Sequence, residues 1–202
     1  MRPRSGWVSG RSKSSADRDR ISATFHSRMA SNSRSAISVA YSDSERRVRL
    51  LAGDAVFEAA PMAGKETRPF VVEYAGATTR ALGTRFVVGG EGQGGWVGML
   101  EHSTRVNLLE APASGAAERV LEEGQSLRYD SRHGIRAWPG QDPRRASAWQ
   151  RGLLIFEREP LAQVAEQINR YRGGHVLITD SALAQREVSG MFRLDNLCLL
   201  YT

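Results

Sequence analysis

Residues 46–61, RRVRLLAGDAVFEAAP, and 68–88, RPFVVEYAGATTRALGTRFVV, set the rhythm of this chain. Val48 and Leu50 alternate with Arg47 and Arg49 before Gly53-Asp54 turns the backbone. Ala55, Phe57 and Ala59 then alternate with Val56 and Glu58 until Pro61 and Gly64 break the run. Phe70, Val72 and Tyr74 share one face ahead of Gly76; Thr78, Arg80 and Leu82 follow, then Phe86 and Val88. Because successive strand side chains point to opposite sheet faces, a period of two predicts half-buried strands. The pattern continues through Trp96, Gly98 and Leu100 to Val106 and Leu108, and across Glu123-Gly124 from Val120-Leu121 to Leu127 and Tyr129. Turn chemistry recurs roughly every 8–12 residues, and no 3.6-residue apolar period interrupts it. Residues 21–138 are therefore expected to form an all-β module: a sandwich, roll or solenoid, among which periodicity does not choose.

Residues 139–147, PGQDPRRAS, carry two prolines and little to bury, and read as a linker. From residue 148 the grammar changes. Leu153 to Phe156 reads as a buried strand, and Pro160 suits the first position of a helix, where its missing N–H costs nothing. Leu161, Val164, Ala165, Ile168 and Tyr171 fall on one helical face, with Gln163, Glu166, Gln167 and Arg170 opposite. Gly173-Gly174 is the expected stop. His175 to Thr179 is expected to return as a strand, Ser181 to Gln185 as a short turn or helix, and Val188 to Leu194 as a third strand. Residues 148–202 thus make a small, incomplete β-α-β-β domain, and the whole chain is mainly β.

Composition narrows the partners. Of a net charge of +6, Arg2, Arg4, Arg11, Lys13, Arg18 and Arg20 against Asp17 and Asp19 place +4 in residues 1–20, a Ser- and Gly-rich stretch read as a disordered basic tail. The remaining body is close to neutral and lacks a basic stripe with interleaved aromatics, so nucleic acid is not an expected partner. The single cysteine, Cys198, precludes an intrachain disulfide. No apolar run approaches the ~18–20 residues of a membrane span, and the N-terminus lacks the apolar core of a secretory signal.

Seven motifs in order carry a resemblance: RRVRLLAGDAVFEAA (46–60), RPFVVE (68–73), ALGTRFVV (81–88), EEGQSLRY (122–129), AWQRGLLIFE (148–157), PLAQVAEQINRY (160–171) and VSGMFRLD (188–195). Together they resemble the extracytoplasmic half of FecR-type sigma-factor regulators: an all-β FecR domain followed by a small domain similar to the secretin and TonB short N-terminal module. The resemblance implies a signal relay on the periplasmic side of the inner membrane. Its expected partners are the N-terminal signalling domain of a TonB-dependent outer-membrane receptor and an extracytoplasmic-function sigma factor, the latter held by a helical domain this sequence lacks. The family continues beyond Phe192-Arg193-Leu194-Asp195 into a second amphipathic helix, so this sequence reads as a fragment or the product of a disrupted gene. No turnover enzyme, cofactor or metal is implied. The rival reading is a β-sandwich ligand- or carbohydrate-binding module with a small α/β adaptor.

Gly83-Thr84 is the sharpest chemical candidate. A threonine hydroxyl can attack the preceding carbonyl in an N-to-O acyl shift, and glycine leaves that carbonyl unshielded; the resemblance implies self-cleavage at such a pair in some members. The alternative is a bulge glycine beside a strand threonine. Leu153, Ile155, Val188, Met191 and Phe192 lie on two candidate recognition strands, where an open edge could pair with a partner's strand; otherwise both lie inside their own sheet. Gly90 to Gly95 matches G-x-G-x-x-G, but Trp96 to Leu100 behind it reads as a strand rather than the helix a dinucleotide requires, so a flexible hairpin loop is expected. The four histidines show no ligand spacing. Trp96, Trp138 and Trp149 are expected as core or interlobe anchors rather than a carbohydrate platform.

Overall fold

The computed structural model describes residues 27–31, 35–59, 67–81, 83–171 and 175–195. The tail at 1–20, the Gly173-Gly174 stop and Cys198 lie outside them.

The all-β part is a sandwich. One sheet runs in the order β1 (Ser27–Ser31), β4 (Ala55–Ala59), β7 (Arg85–Glu91), β8 (Gly94–Glu101), β11 (Ser126–Asp130) and β12 (Gly134–Ala137). The other is ordered β10 (Glu118–Glu122), β9 (Ser103–Leu108), β6 (Ala77–Ala81), β5 (Phe70–Tyr74), β3 (Arg46–Ala52) and β2 (Ala36–Tyr41). Pairing is antiparallel throughout, except that β3 and β5 run parallel. The expected turn at Gly53-Asp54 joins strands of different sheets, so it is a crossing between layers and not a hairpin.

The alternating residues meet between the sheets. Phe57 stacks on Phe86 beside it, with centroids 5.6 Å apart, and reaches Phe70 on the facing sheet at 6.1 Å. Val48, Leu50, Val72, Val88, Met99 and Leu127 are among the other side chains of this buried layer. Aromatic pairs at these separations add about 0.5–1.5 kcal/mol beyond the area they bury. At one end the Tyr129 hydroxyl donates to the Tyr74 carbonyl across the layers, 2.9 Å away, and its burial raises the phenol pKa. At the β11–β12 turn, Asp130 accepts from the His133 and Arg132 amides and pairs with Arg136 at 2.6 Å. The His133 amide is the largest of the influences that hold its carboxyl down at about 2.

Gly90 to Gly95 lie in the expected hairpin: β7 and β8 pair as far as Glu91 opposite Gly94. The hairpin is tight, and no helix follows it.

The segment 139–147 does more than its composition suggested. Asp142 caps a one-turn helix, α1 (Pro143–Ala146), by accepting from the Arg144 amide at 2.8 Å. Pro143 is fully buried. A Cβ at Gly98 would crowd the Pro143 ring at 2.7 Å, so the glycine on β8 leaves the space the proline fills. A 3-10 turn (Ala148–Arg151) then leads into the second lobe.

There, β13 (Leu153–Pro160) pairs antiparallel with β14 (Glu187–Arg193), and α2 (Leu161–Asn169) buries Val164 and Ile168 against Leu154 and Phe156, with Ala165 buried beside them in sequence. Pro160 sits one residue earlier than expected, ending β13 as the residue before the helix. A second short helix, α3 (Ser181–Ala184), is capped by Asp180, which accepts from the Ala182 and Leu183 amides. The expected strand at His175 to Thr179 does not form a ladder. Val176 spends both main-chain groups on one side chain: its amide donates to Asn169 Oδ1 at 2.7 Å, and its carbonyl accepts from Asn169 Nδ2 at 2.9 Å. The elements described in this lobe run β13, α2, α3 and β14, a small β-α-β unit with the short helix expected within Ser181 to Gln185. Among the described residues no helix is long and apolar enough to cross a membrane.

Candidate functional site

Between β6 and β7 the chain passes from one sheet to the other, and Gly83-Thr84 lies at that crossing. Gly83 has φ +115°, a conformation open to glycine and penalised for residues bearing a Cβ. Thr84 is 5 % exposed, and its carbonyl accepts from the Ala59 amide at 2.9 Å, which pins it against the end of β4. Its hydroxyl is enclosed and has no hydrogen-bond partner among the described residues. Leaving a buried hydroxyl unsatisfied costs on the order of 1–3 kcal/mol. The sequence singled out the pair for its chemistry; the fold adds a sheet crossing, a glycine-only backbone angle and an unengaged nucleophile.

The next residue, Arg85, reaches two partners. Its Nη1 lies 3.4 Å from Glu101 Oε1 on β8, and its Nη2 donates to Gln150 Oε1 at 3.1 Å. Gln150 belongs to the 3-10 turn, so Arg85 joins the sheet crossing to the second lobe.

That lobe docks on the outer face of the β4–β7–β8 sheet. Val56, Val87, Trp96 and Leu100 are buried there, on the side away from the sandwich core, beneath Trp138, Ala146 and Trp149. Trp149 packs simultaneously against the second lobe's own core. Arg170, at the end of α2, pairs with Asp54 of the β3–β4 crossing at 3.1 Å, and Arg145 of α1 with Glu157 of β13 at 2.7 Å. Tyr74 feels the same pair: burial, foremost, and the Asp54 charge raise its pKa, while Arg170 opposes them.

The five candidate recognition residues divide between two faces. Leu153 and Ile155 are half-buried and Met191 is 63 % exposed, with Ile155 directly opposite Met191 in the ladder. Val188 and Phe192 point the other way and pack on the lobe's core, Phe192 edge-on to Phe156 at 5.7 Å. Strand alternation permits nothing else, since Phe192 pairs with Leu154, a core residue. Only the first three share an outward surface.

The described tryptophans, Trp96, Trp138 and Trp149, offer no open platform. Trp138 meets Trp96 edge-to-face at 6.1 Å, and the Arg128 guanidinium lies 5.7 Å from its ring centre. The described residues include no cluster of three or more His, Cys, Asp or Glu able to hold a metal.

Comparison with known proteins places these features. Residues 14–110 match the family model described as FecR protein, a span reaching further toward the N-terminus than the motifs do. No curated protein matches the chain. Two crystal structures from Parabacteroides distasonis ATCC 8503, each of a protein proposed as an anti-sigma factor, share the fold. The first superposes with a TM-score of 0.66 at 18 % identity, over 83 % of this chain and 76 % of that one. The second gives 0.62 at 17 % identity, over 86 % and 88 %.

Proposed function

This chain carries a FecR domain, and from that premise we propose that it is the signal-relay part of a sigma-factor regulator working on the periplasmic side of the inner membrane. The observation that carries the reading is the docked pair of lobes: a sandwich whose outer face is sealed by a small α/β lobe through Trp149. A partner that grips the small lobe can thereby act on the sandwich. The partner is the N-terminal signalling domain of a TonB-dependent outer-membrane receptor, and the output is control of an extracytoplasmic-function sigma factor. The outward-facing Ile155–Met191 pair, half-buried at Ile155 and exposed at Met191, is the contact surface for the receptor domain.

Titrating the chain with a purified signalling domain tests this. Saturable binding is expected, weakened at least tenfold by joint Ile155→Arg and Met191→Asp changes. Binding on a glycan array with none to the signalling domain would instead establish a carbohydrate-binding module.

A second activity rests on its own observation, the enclosed Thr84 hydroxyl without a partner among the described residues. The hydroxyl oxygen attacks the Gly83 carbonyl carbon, the Gly83–Thr84 C–N bond breaks, and the hydroxyl proton passes to the freed Thr84 nitrogen. Water then hydrolyses the ester, leaving a Gly83 carboxylate and a Thr84 residue with its amine and hydroxyl restored. This is one turnover in cis, not enzymatic turnover of a substrate. Intact mass after prolonged incubation is expected to show two fragments divided at residues 83 and 84. Thr84→Ala is expected to abolish them, and Thr84→Ser to retain them. A single full-length species in the unmodified chain would refute the activity.

A further inference from the structure

The Arg85–Gln150 contact has no role in packing either core, yet it links the residue after Thr84 to the turn that seats the second lobe. Arg85 is also where the β7–β8 register shifts, between Arg85 and Phe86, so the first residue of β7 is held less regularly than those after it. Its guanidinium is shared between Gln150 on the second lobe and Glu101 on the sandwich, at 3.1 and 3.4 Å. Gln150 itself is held in place by its neighbours: Ala148 is 1 % exposed, and Trp149 is packed in both cores.

We propose that Arg85 is a positioning residue that reports the seating of the second lobe to the Gly83-Thr84 junction. With the lobe seated, Gln150 holds the start of β7, and the Ala59 amide holds the Thr84 carbonyl. A backbone geometry with few intrinsic restraints persists only where its surroundings over-determine it. When a partner lifts the lobe, Gln150 leaves, Arg85 turns wholly to Glu101, and the junction loses its one tie to the second lobe while its ties to β4 and β8 remain. Occupancy of the small lobe thus sets how firmly the Gly83-Thr84 junction is held. The regulatory consequence for cleavage rests on the self-cleavage activity proposed above; the mechanical link does not.

Two readouts on the full chain separate these claims. Amide exchange over residues 84–88, measured in the Thr84→Ala background where no cleavage occurs, reads the link alone. Gln150→Ala is expected to speed that exchange about tenfold, the factor corresponding to loss of one hydrogen bond to a charged group, with exchange across β11 unchanged. Gln150→Glu, which keeps an acceptor for Arg85, is expected to restore it. In the otherwise unmodified chain, Gln150→Ala is expected to slow fragment formation at least threefold, again with recovery in Gln150→Glu. Exchange over 84–88 within twofold of the parent in Gln150→Ala overturns the link, whether or not the chain cleaves. Faster exchange with an unaltered cleavage rate overturns its role in cleavage. A chain whose exchange responds but which never cleaves refutes the self-cleavage activity and leaves the link standing.

Discussion

Replacing Phe57 by alanine is expected to cost about 3–5 kcal/mol of unfolding free energy, the range for truncating a buried aromatic ring. Phe57 is 0 % exposed and stands at the meeting of three rings, stacked on Phe86 in its own sheet and tilted against Phe70 in the other. Removing it takes away the ring that joins the two layers. The surrounding strands are hydrogen-bonded on both sides and cannot close the void, so the cavity contribution adds to the lost burial. Natural domains retain only about 5–15 kcal/mol in total. The variant is therefore expected to be half unfolded at a markedly lower urea concentration with an unchanged denaturant slope. A loss below about 1 kcal/mol would mean that the layers are not joined through this ring.

Replacing Trp149 by alanine is expected to uncouple the lobes. Among the described residues the indole is the one side chain packed against both the second lobe's core and the outer face of the first sheet. Its loss uncovers Val56, Val87, Trp96 and Leu100 and leaves the Arg170–Asp54 and Arg145–Glu157 pairs to act across a loosened contact. Ion pairs of this partly exposed kind contribute little on their own. A cost of about 3 kcal/mol, at the lower end for tryptophan truncation because the ring is only half-buried, is expected. Its signature in calorimetry is a single transition resolved into two, the small lobe melting first. One cooperative transition in the variant would show that the lobes are held by something other than this indole. The same variant is expected to speed amide exchange at residues 84–88, because Gln150 adjoins the lost ring.

The two expectations differ in how readily the sequence yields them. Phe57 sits in the alternation Ala55, Phe57, Ala59, and a period of two with turn chemistry between runs is enough to assign it to an interior face. Trp149 is different. Its sequence context suggests an anchor, but not what it anchors to. The face carrying Val56 reads as the wet side of β4 when that strand is considered alone, and the structure buries it because a second lobe lies over it. A trace of this is present in the sequence: β8 is apolar on both faces, and burial on both sides is what such a run signals. That Val188 and Phe192 turn toward the lobe's core was hidden for a related reason. Alternation says which residues share a face, but only the ladder opposite Leu154 says which face is dry.

At Gly83-Thr84 the chemistry of the pair was readable from residue type alone. The buried, unengaged hydroxyl and the tether from Arg85 were not, because each depends on groups far away in sequence: Ala59 and Glu101 on neighbouring strands, and Gln150 on another lobe. The expected strand at 175–179 failed through a local competition, in which the Asn169 amide outbid a sheet partner for Val176.

By itself the amino-acid sequence determined that this protein has a β-rich first lobe and a helix-bearing second one, because periodicity follows from backbone geometry that each residue obeys independently of distant contacts. Which sheet each strand joins, which outer face is covered, and what restrains the Gly83-Thr84 crossing were decided by the tertiary structure. Those are relations between surfaces, and a surface acquires its partner only when remote segments of the chain are brought together.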